Sequence, residues 1–203
     1  MNKPETLPAR GRPREFCVDR ALAQALRVFW TKGYDATSLT DLTEAMGITR
    51  PSLYAAFGNK ESLFRKALDL YEREKMFYVG KALAEPTARK VVEAMLRGAV
   101  ENMSGCDEPH GCLRIIATVA GGPDSQSIRA ELMERGKLVH ETIIDRFRRA
   151  QRDGDLPAHL DVVGLADMLK ALFQGISVQA TQGATREELD RLVDTSLLMW
   201  PSA

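Results

Sequence analysis

Residues Ser38 to Leu63 read SLTDLTEAMGITRPSLYAAFGNKESL. Two short helical patterns flank a tight turn, and a third helix begins just after them. Ser38 is an N-cap candidate ahead of Leu39, Leu42, Ala45 and Met46, which share one helical face. Gly47 supplies the positive φ often wanted past a helix end. Thr49 can cap the next helix, Pro51 sits near its first position, where a missing N–H does no harm, and Leu53, Ala56 and Phe57 form its inward face. Gly58 stops it, and Asn59 caps the following helix. The pattern is a helix-turn-helix, whose second helix enters the DNA major groove by its N-terminal end.

The residues Phe29, Gly33, Tyr34, Thr37, Ser38, Leu42, Ala45, Gly47, Ile48, Leu53, Tyr54, Phe57, Lys60, Leu63 and Leu68 follow the DNA-binding module of one family. This stretch resembles the TetR/AcrR (tetracycline-repressor-like) family of bacterial transcriptional regulators. The resemblance covers roughly the first third of the chain and couples caps, turn glycines, aromatic positions and a lysine at fixed spacing. It implies an all-α protein: an N-terminal three-helix DNA-binding domain and a C-terminal helical domain for ligand binding and dimerisation. The expected division is a flexible basic arm at 1–13, the helix-turn-helix domain at 14–66, and an effector-binding and dimerisation domain at 67–203.

Composition agrees with a globular chain able to bury a sizeable core: 44% of residues are hydrophobic and 28% charged. Net charge is zero, but residues 1–66 hold 11 Lys/Arg against 7 Asp/Glu, and the remainder holds 17 against 21. A basic head on an acidic body suits a protein that meets phosphate at one end. No apolar run reaches the ~18 residues of a membrane span. The N-terminus lacks the apolar core of a secretory signal. Three cysteines, an odd number, speak for a reducing compartment rather than a disulfide framework. The expected location is the bacterial cytoplasm.

The head offers specific DNA chemistry. Arg50 can place its fork on guanine O6 and N7. Thr49 and Ser52 can reach base edges or phosphate, and Pro51 a thymine methyl. Tyr54 and Lys60 are candidate phosphate contacts that fix register without reading sequence. Thr37 and Ser38, at the start of a helix, suit a phosphate as well. Arg12, in the basic cluster Arg10 to Arg14, can follow phosphates or enter a minor groove. Each of these is otherwise a solvated side chain. The expected partner is double-stranded operator DNA with approximate two-fold symmetry.

Helix 1 is expected from Arg14 or Cys17 to Lys32, with Val18, Ala21, Leu22, Ala25, Leu26, Val28 and Phe29 as its apolar stripe. One long helix is expected from Asn59 to about Leu83, and others over Thr87–Met103, Cys112–Ala120, Ser125–Arg152, Asp161–Thr181 and Thr185–Trp200. Gly121 to Asp124 form a break, and Leu138 is expected to face inward. Thr185 and Glu188 form a capping box. Ala171 and Gly175, small residues one turn apart, would let a second helix come close. The resemblance implies a homodimer through the last two helices.

The resemblance also implies a cavity in the body for a small effector. Candidate lining residues are Met76, Met95, Met103, Met133, Met168, Phe173 and Trp200, which read equally well as core. Cys106, His110 and Cys112 form an unusual cluster. It is open to three readings: ordinary packing, a thiol-reactive switch on Cys106 and Cys112, or a soft-metal site. The Cys-x5-Cys spacing is not that of structural zinc, and neither a metal nor a cofactor is expected. The rival from another class, a thiol-dependent redox protein or enzyme on these residues, leaves the helix-turn-helix unexplained. A DNA-binding dimer without any effector is a second alternative.

Overall fold

The computed structural model describes residues 17–105, 108–119 and 125–201. The arm with Arg12, the residue Cys106 and the break at Gly121 to Asp124 lie outside the described residues. Every element among the described residues is a helix: α1 (Val18–Lys32), α2 (Leu39–Met46), α3 (Arg50–Phe57), α4 (Lys60–Lys75), α5 (Phe77–Leu83), α6 (Ala88–Met103), α7 (Leu113–Val119), α8 (Gln126–Arg152), α9 (Val162–Thr181) and α10 (Arg186–Leu198).

The head forms around α1. Ala21, Ala25, Leu26, Phe29 and Trp30 recur on one helical face and are buried, against α2 and α4. Val18, expected in this stripe, is exposed because the packed face begins one turn later. Aromatic edges hold the centre: Phe64 meets Phe29 at 5.1 Å and Tyr34 at 5.2 Å between ring centroids, both edge-on. Each fully buried Phe of this kind stabilises by about 1.5–3 kcal/mol.

The long helix expected from Asn59 to Leu83 is two helices. It breaks at Met76, with φ −105° and ψ 1°, and α5 leaves in a new direction. The break lays the Tyr78 ring on α6 at Gly98, where an added Cβ would stand 2.3 Å from the ring. Packing α5 on α6 outweighs the continuity of one helix, and Phe77 is left exposed. Arg146 of α8 is buried beneath the end of α5. Its guanidinium donates to the carbonyls of Leu83 and Glu85 at 3.2 and 2.8 Å, satisfying acceptors that a helix end leaves open.

In the body, α6 packs on α5, α9 and α10, and α8 packs on α9. Arg97 of α6 ties down α10 through Asp190 and Asp194 at 3.1 and 2.6 Å. The capping box at Thr185 and Glu188 is formed at the start of α10. The outward face of α9 is unlike the rest of the surface. Met168, Ala171 and Val178 are exposed along it, and a Cβ on Gly175 would meet nothing within 4 Å. Leu198 and Met199 add apolar surface at the end of α10.

Head and body are joined at several places, among them the Arg65–Glu131 and Ser127–Glu61 contacts of α4 with α8, each at 2.7 Å. Helix α4 runs through the expected boundary at residues 66 and 67 without a break. A further joint lies before α7. The Trp30 indole N–H of α1 donates to the Gly111 carbonyl at 2.9 Å in the protein interior. The next amide, Cys112 N–H, donates to the Ser177 hydroxyl of α9 at 2.8 Å. One short loop therefore grips α1 with one residue and α9 with the next.

Candidate DNA-binding interface

The two helices of the helix-turn-helix are set by their ends. Ser38 caps α2 in a capping box: its hydroxyl accepts the Asp41 N–H at 3.0 Å while the Asp41 carboxylate accepts the Ser38 N–H at 2.8 Å. Gly47 ends α2 at φ 65° and ψ 33°, the left-handed turn that glycine adopts most readily. Thr49 caps α3 by accepting the Ser52 N–H at 3.4 Å, with Pro51 in the first turn, where no donor is missed. Such caps contribute about 1 kcal/mol each.

Helix α3 is held by few side chains. Leu53 and Phe57 are its buried residues, and they enter the core that contains Leu42, Met46 and Leu63. Ala56 of α3 and Ala45 of α2, both expected inward, are exposed; the helices turn these small residues away from the core. Arg50, Pro51, Tyr54 and Ala55 all face outward, and Tyr54 is 50% exposed. Most of the α3 surface is thus available to a partner.

Electrostatics select its N-terminal end. The first turn of α3 contains no acidic residue, whereas those of α2 and α4 carry Asp41 and Glu61. The partial positive charge of the helix end is therefore uncompensated and reinforced by Arg50. The Arg50 guanidinium donates to the Thr40 hydroxyl of α2 at 2.9 Å, which bridges the two helices on this face. Thr49 and Ser52 share a hydrogen between their hydroxyls at 3.0 Å. Asp41 is differently placed. Lys32, at 2.6 Å, and the Ser38 amide and hydroxyl hold its carboxyl well below the usual carboxylate range.

Thr37 must be removed from the expected DNA contacts. It is buried, and its hydroxyl donates to the Gly33 carbonyl at 2.6 Å, bracing the loop between α1 and α2. Ser38 is exposed, but its hydroxyl is engaged by Asp41 in both directions. Lys60, at the start of α4, stands 4.4 Å from the centroid of the Tyr34 ring, a cation–π contact that holds its ammonium against the loop between α1 and α2. Lys32 and Thr40 support this face and were not singled out from sequence, whereas Tyr34 was read there as part of the module's pattern. The one signal for Thr40 was its place on the exposed side of the first turn of α2.

The family model described as bacterial regulatory proteins of the tetR family matches residues 21–67, the span from α1 into α4. The HTH-type transcriptional repressor ComR of Escherichia coli K12 is 38% identical over 198 residues, covering 95% of this chain and 93% of that protein. The chain belongs to the TetR family. BdcR, an HTH-type transcriptional repressor of the same organism, is 29% identical over 88% of this chain and 86% of its own length. Among solved structures, the TetR-family regulator CifR, as a cysteine-substituted mutant complexed with 26-base-pair operator DNA, superposes with a TM-score of 0.88. It is 41% identical and covers 94% of this chain and 100% of its own.

The body of this TetR-family chain has an open, groove-like cavity of about 470 Å³ between α4, α5, α7 and α8. It is lined by Glu72, Met76, Val79, Arg114, Arg135, Leu138 and Val139. Of the expected lining residues only Met76 is found there. Met95, Met103 and Trp200 are buried in the core, Phe173 packs against it half-buried, and Met133 and Met168 face outward at 65% and 40% exposure. Leu138, expected in the core, sits 57% exposed at the cavity's rim.

The expected switch cysteine Cys112 is buried, with its thiol beside the Tyr71 phenol. Burial, and then the neighbouring thiol, push the Tyr71 phenol well up. An attackable thiol is not what this position offers in the state described. His110 is exposed beside it.

Proposed function

We propose that this chain is a homodimeric, sequence-specific DNA-binding regulator that represses transcription from a two-fold symmetric operator and is released when its body binds a small molecule. The observation that carries the reading is the N-terminus of α3: Arg50, Pro51 and Tyr54 turned outward on a helix held by two side chains. A helix presented in this way fits the major groove, with Arg50 reading a guanine and Lys60 and Tyr54 positioned for phosphates. The repressor names of ComR and BdcR and the operator DNA bound by CifR support the reading. The exposed apolar face of α9 and the end of α10 supply a surface for a second copy, which places two α3 helices on one duplex. The protein would act in the cytoplasm, and its task is binding rather than catalysis. The cavity against α4 favours a ligand-responsive dimer over one without an effector.

Operator binding, followed by fluorescence anisotropy on DNA upstream of the chain's own gene and on sequences selected from random DNA, tests this. The expected result is salt-dependent binding of one dimer to two half-sites about 10 base pairs, or a multiple, apart. Failure to select any sequence would overturn the proposal. Arg50→Ala is expected to cost about 1–3 kcal/mol of affinity and relax the preference at one base position per half-site. Lys60→Ala should instead weaken binding uniformly and reduce the salt slope by about one. A changed base preference in Lys60→Ala would remove Lys60 from the phosphate contacts.

A further inference from the structure

The charges in the body cavity are unevenly matched. Arg135 is fully engaged, with Asp69 at 2.8 Å, Glu72 at 2.6 Å and Glu131 at 2.7 Å. Burial works against its charge, but these carboxylates outweigh it and raise its pKa further. Glu72 thereby commits Oε2 to Arg135, and its Oε1 stands 3.6 Å from Arg114 Nε. Arg114 has nothing better. Its side chain is 14% exposed, its guanidinium lies against Gly136, and it donates no hydrogen bond among the described residues. A guanidinium carries five N–H donors, and burying one without acceptors is costly. The Tyr78 hydroxyl, in the field of Arg114, is likewise buried with no partner among the described residues. Opposite these groups the cavity is apolar: Met76, Val79, Leu138 and Val139.

The geometry points to an effector with an apolar body and a single carboxylate, seated on Arg114. A carboxylate accepts from the planar guanidinium through two parallel hydrogen bonds and neutralises a charge that Glu72 leaves largely unmatched. A volume of 470 Å³ lies in the range that holds drug-sized molecules. Arg114 is three residues beyond Gly111, which holds Trp30 of the head, and Glu72 lies on the helix that begins in the head. An anion here therefore bears on α4 and on the Gly111 loop, both of which tie head to body. This inference rests on the ligand-responsive reading above.

The test uses the full chain and two probes, octanoate and 4-butylbenzoate, with 1-octanol and octylamine as neutral and cationic counterparts of the first. Calorimetry is expected to show one carboxylate per protomer, bound at least tenfold more tightly than 1-octanol, with octylamine weakest. Arg114→Gln should weaken octanoate at least tenfold, and Arg114→Lys should restore part of the loss. Glu72→Gln, which removes the competing carboxylate, should tighten it, and this variant decides the matter if Arg114→Gln does not fold. The proposal is overturned if neither carboxylate binds, if 1-octanol binds equally well, or if Arg114→Gln or Glu72→Gln leaves octanoate binding unchanged. Operator affinity is measured separately. Carboxylate binding without any operator binding would sink the regulator reading and keep this site, whereas operator binding without carboxylate binding would sink the site alone.

Discussion

Gly111→Ala is expected to destabilise the folded chain by about 3 kcal/mol, from two additive causes. Gly111 sits at φ 82°, and a side chain in that left-handed conformation costs roughly 1–2 kcal/mol. The new methyl would also stand 2.4 Å from the Thr181 methyl and 3.1 Å from the Ser177 carbonyl, and such overpacking costs about 1–3 kcal/mol. Urea unfolding of the full chain measures the sum. The double variant Gly111→Ala with Thr181→Ala separates the parts, because it removes the nearest clash and leaves the backbone strain. Partial recovery is the expected result. A Gly111→Ala protein as stable as the parent would show that the loop can move away from α9, against the tight grip described here. The same substitution should disturb operator affinity, since the Gly111 carbonyl is what the Trp30 indole holds.

Phe57→Ala is expected to abolish operator binding while most of the protein stays folded. Removing a buried Phe costs about 3–5 kcal/mol. Here the loss falls on an eight-residue helix with one other buried residue, Leu53, to hold it. Helix α3 is too short to persist without its seat. Helix α3 packs on α2 and α4, so the buried residues of α6, α8, α9 and α10 should retain their helical circular dichroism and a cooperative melt. Arg50→Ala is the contrast: affinity falls and stability does not, because Arg50 is exposed and its bond to Thr40 lies on the surface. If Phe57→Ala bound the operator normally, α3 would not be the recognition element.

What could be read from sequence was what is local. Ser38, Thr49, Asn59 and Thr185 each cap the helix expected of them, because a cap depends on residues three apart. The outward residues of α3 followed from the same short stretch. Thr37 was misread because its burial depends on how α1 and α2 close over the loop. The break at Met76 was invisible because it exists to lay Tyr78 on Gly98, twenty residues away. The cavity was missed for a similar reason. Glu72, Arg114 and Arg135 are charged residues on helices, which read as solvated surface until three distant segments are brought together. Methionines, chosen for their adaptable chemistry, went mostly to the core or the outside.

The hydrogen bond between Trp30 and Gly111 has an optical consequence. The chain has two tryptophans, and both indoles are buried: Trp30 between head and body, edge-on to Tyr71 at 4.9 Å, and Trp200 near Phe147 at 5.6 Å. With Trp200 replaced by phenylalanine, all indole emission would come from the joint itself. A compound that parted head from body would admit water to Trp30 and shift its emission to longer wavelength. The protein thus carries its own gauge of whether head and body are joined or parted, readable without a label and without DNA.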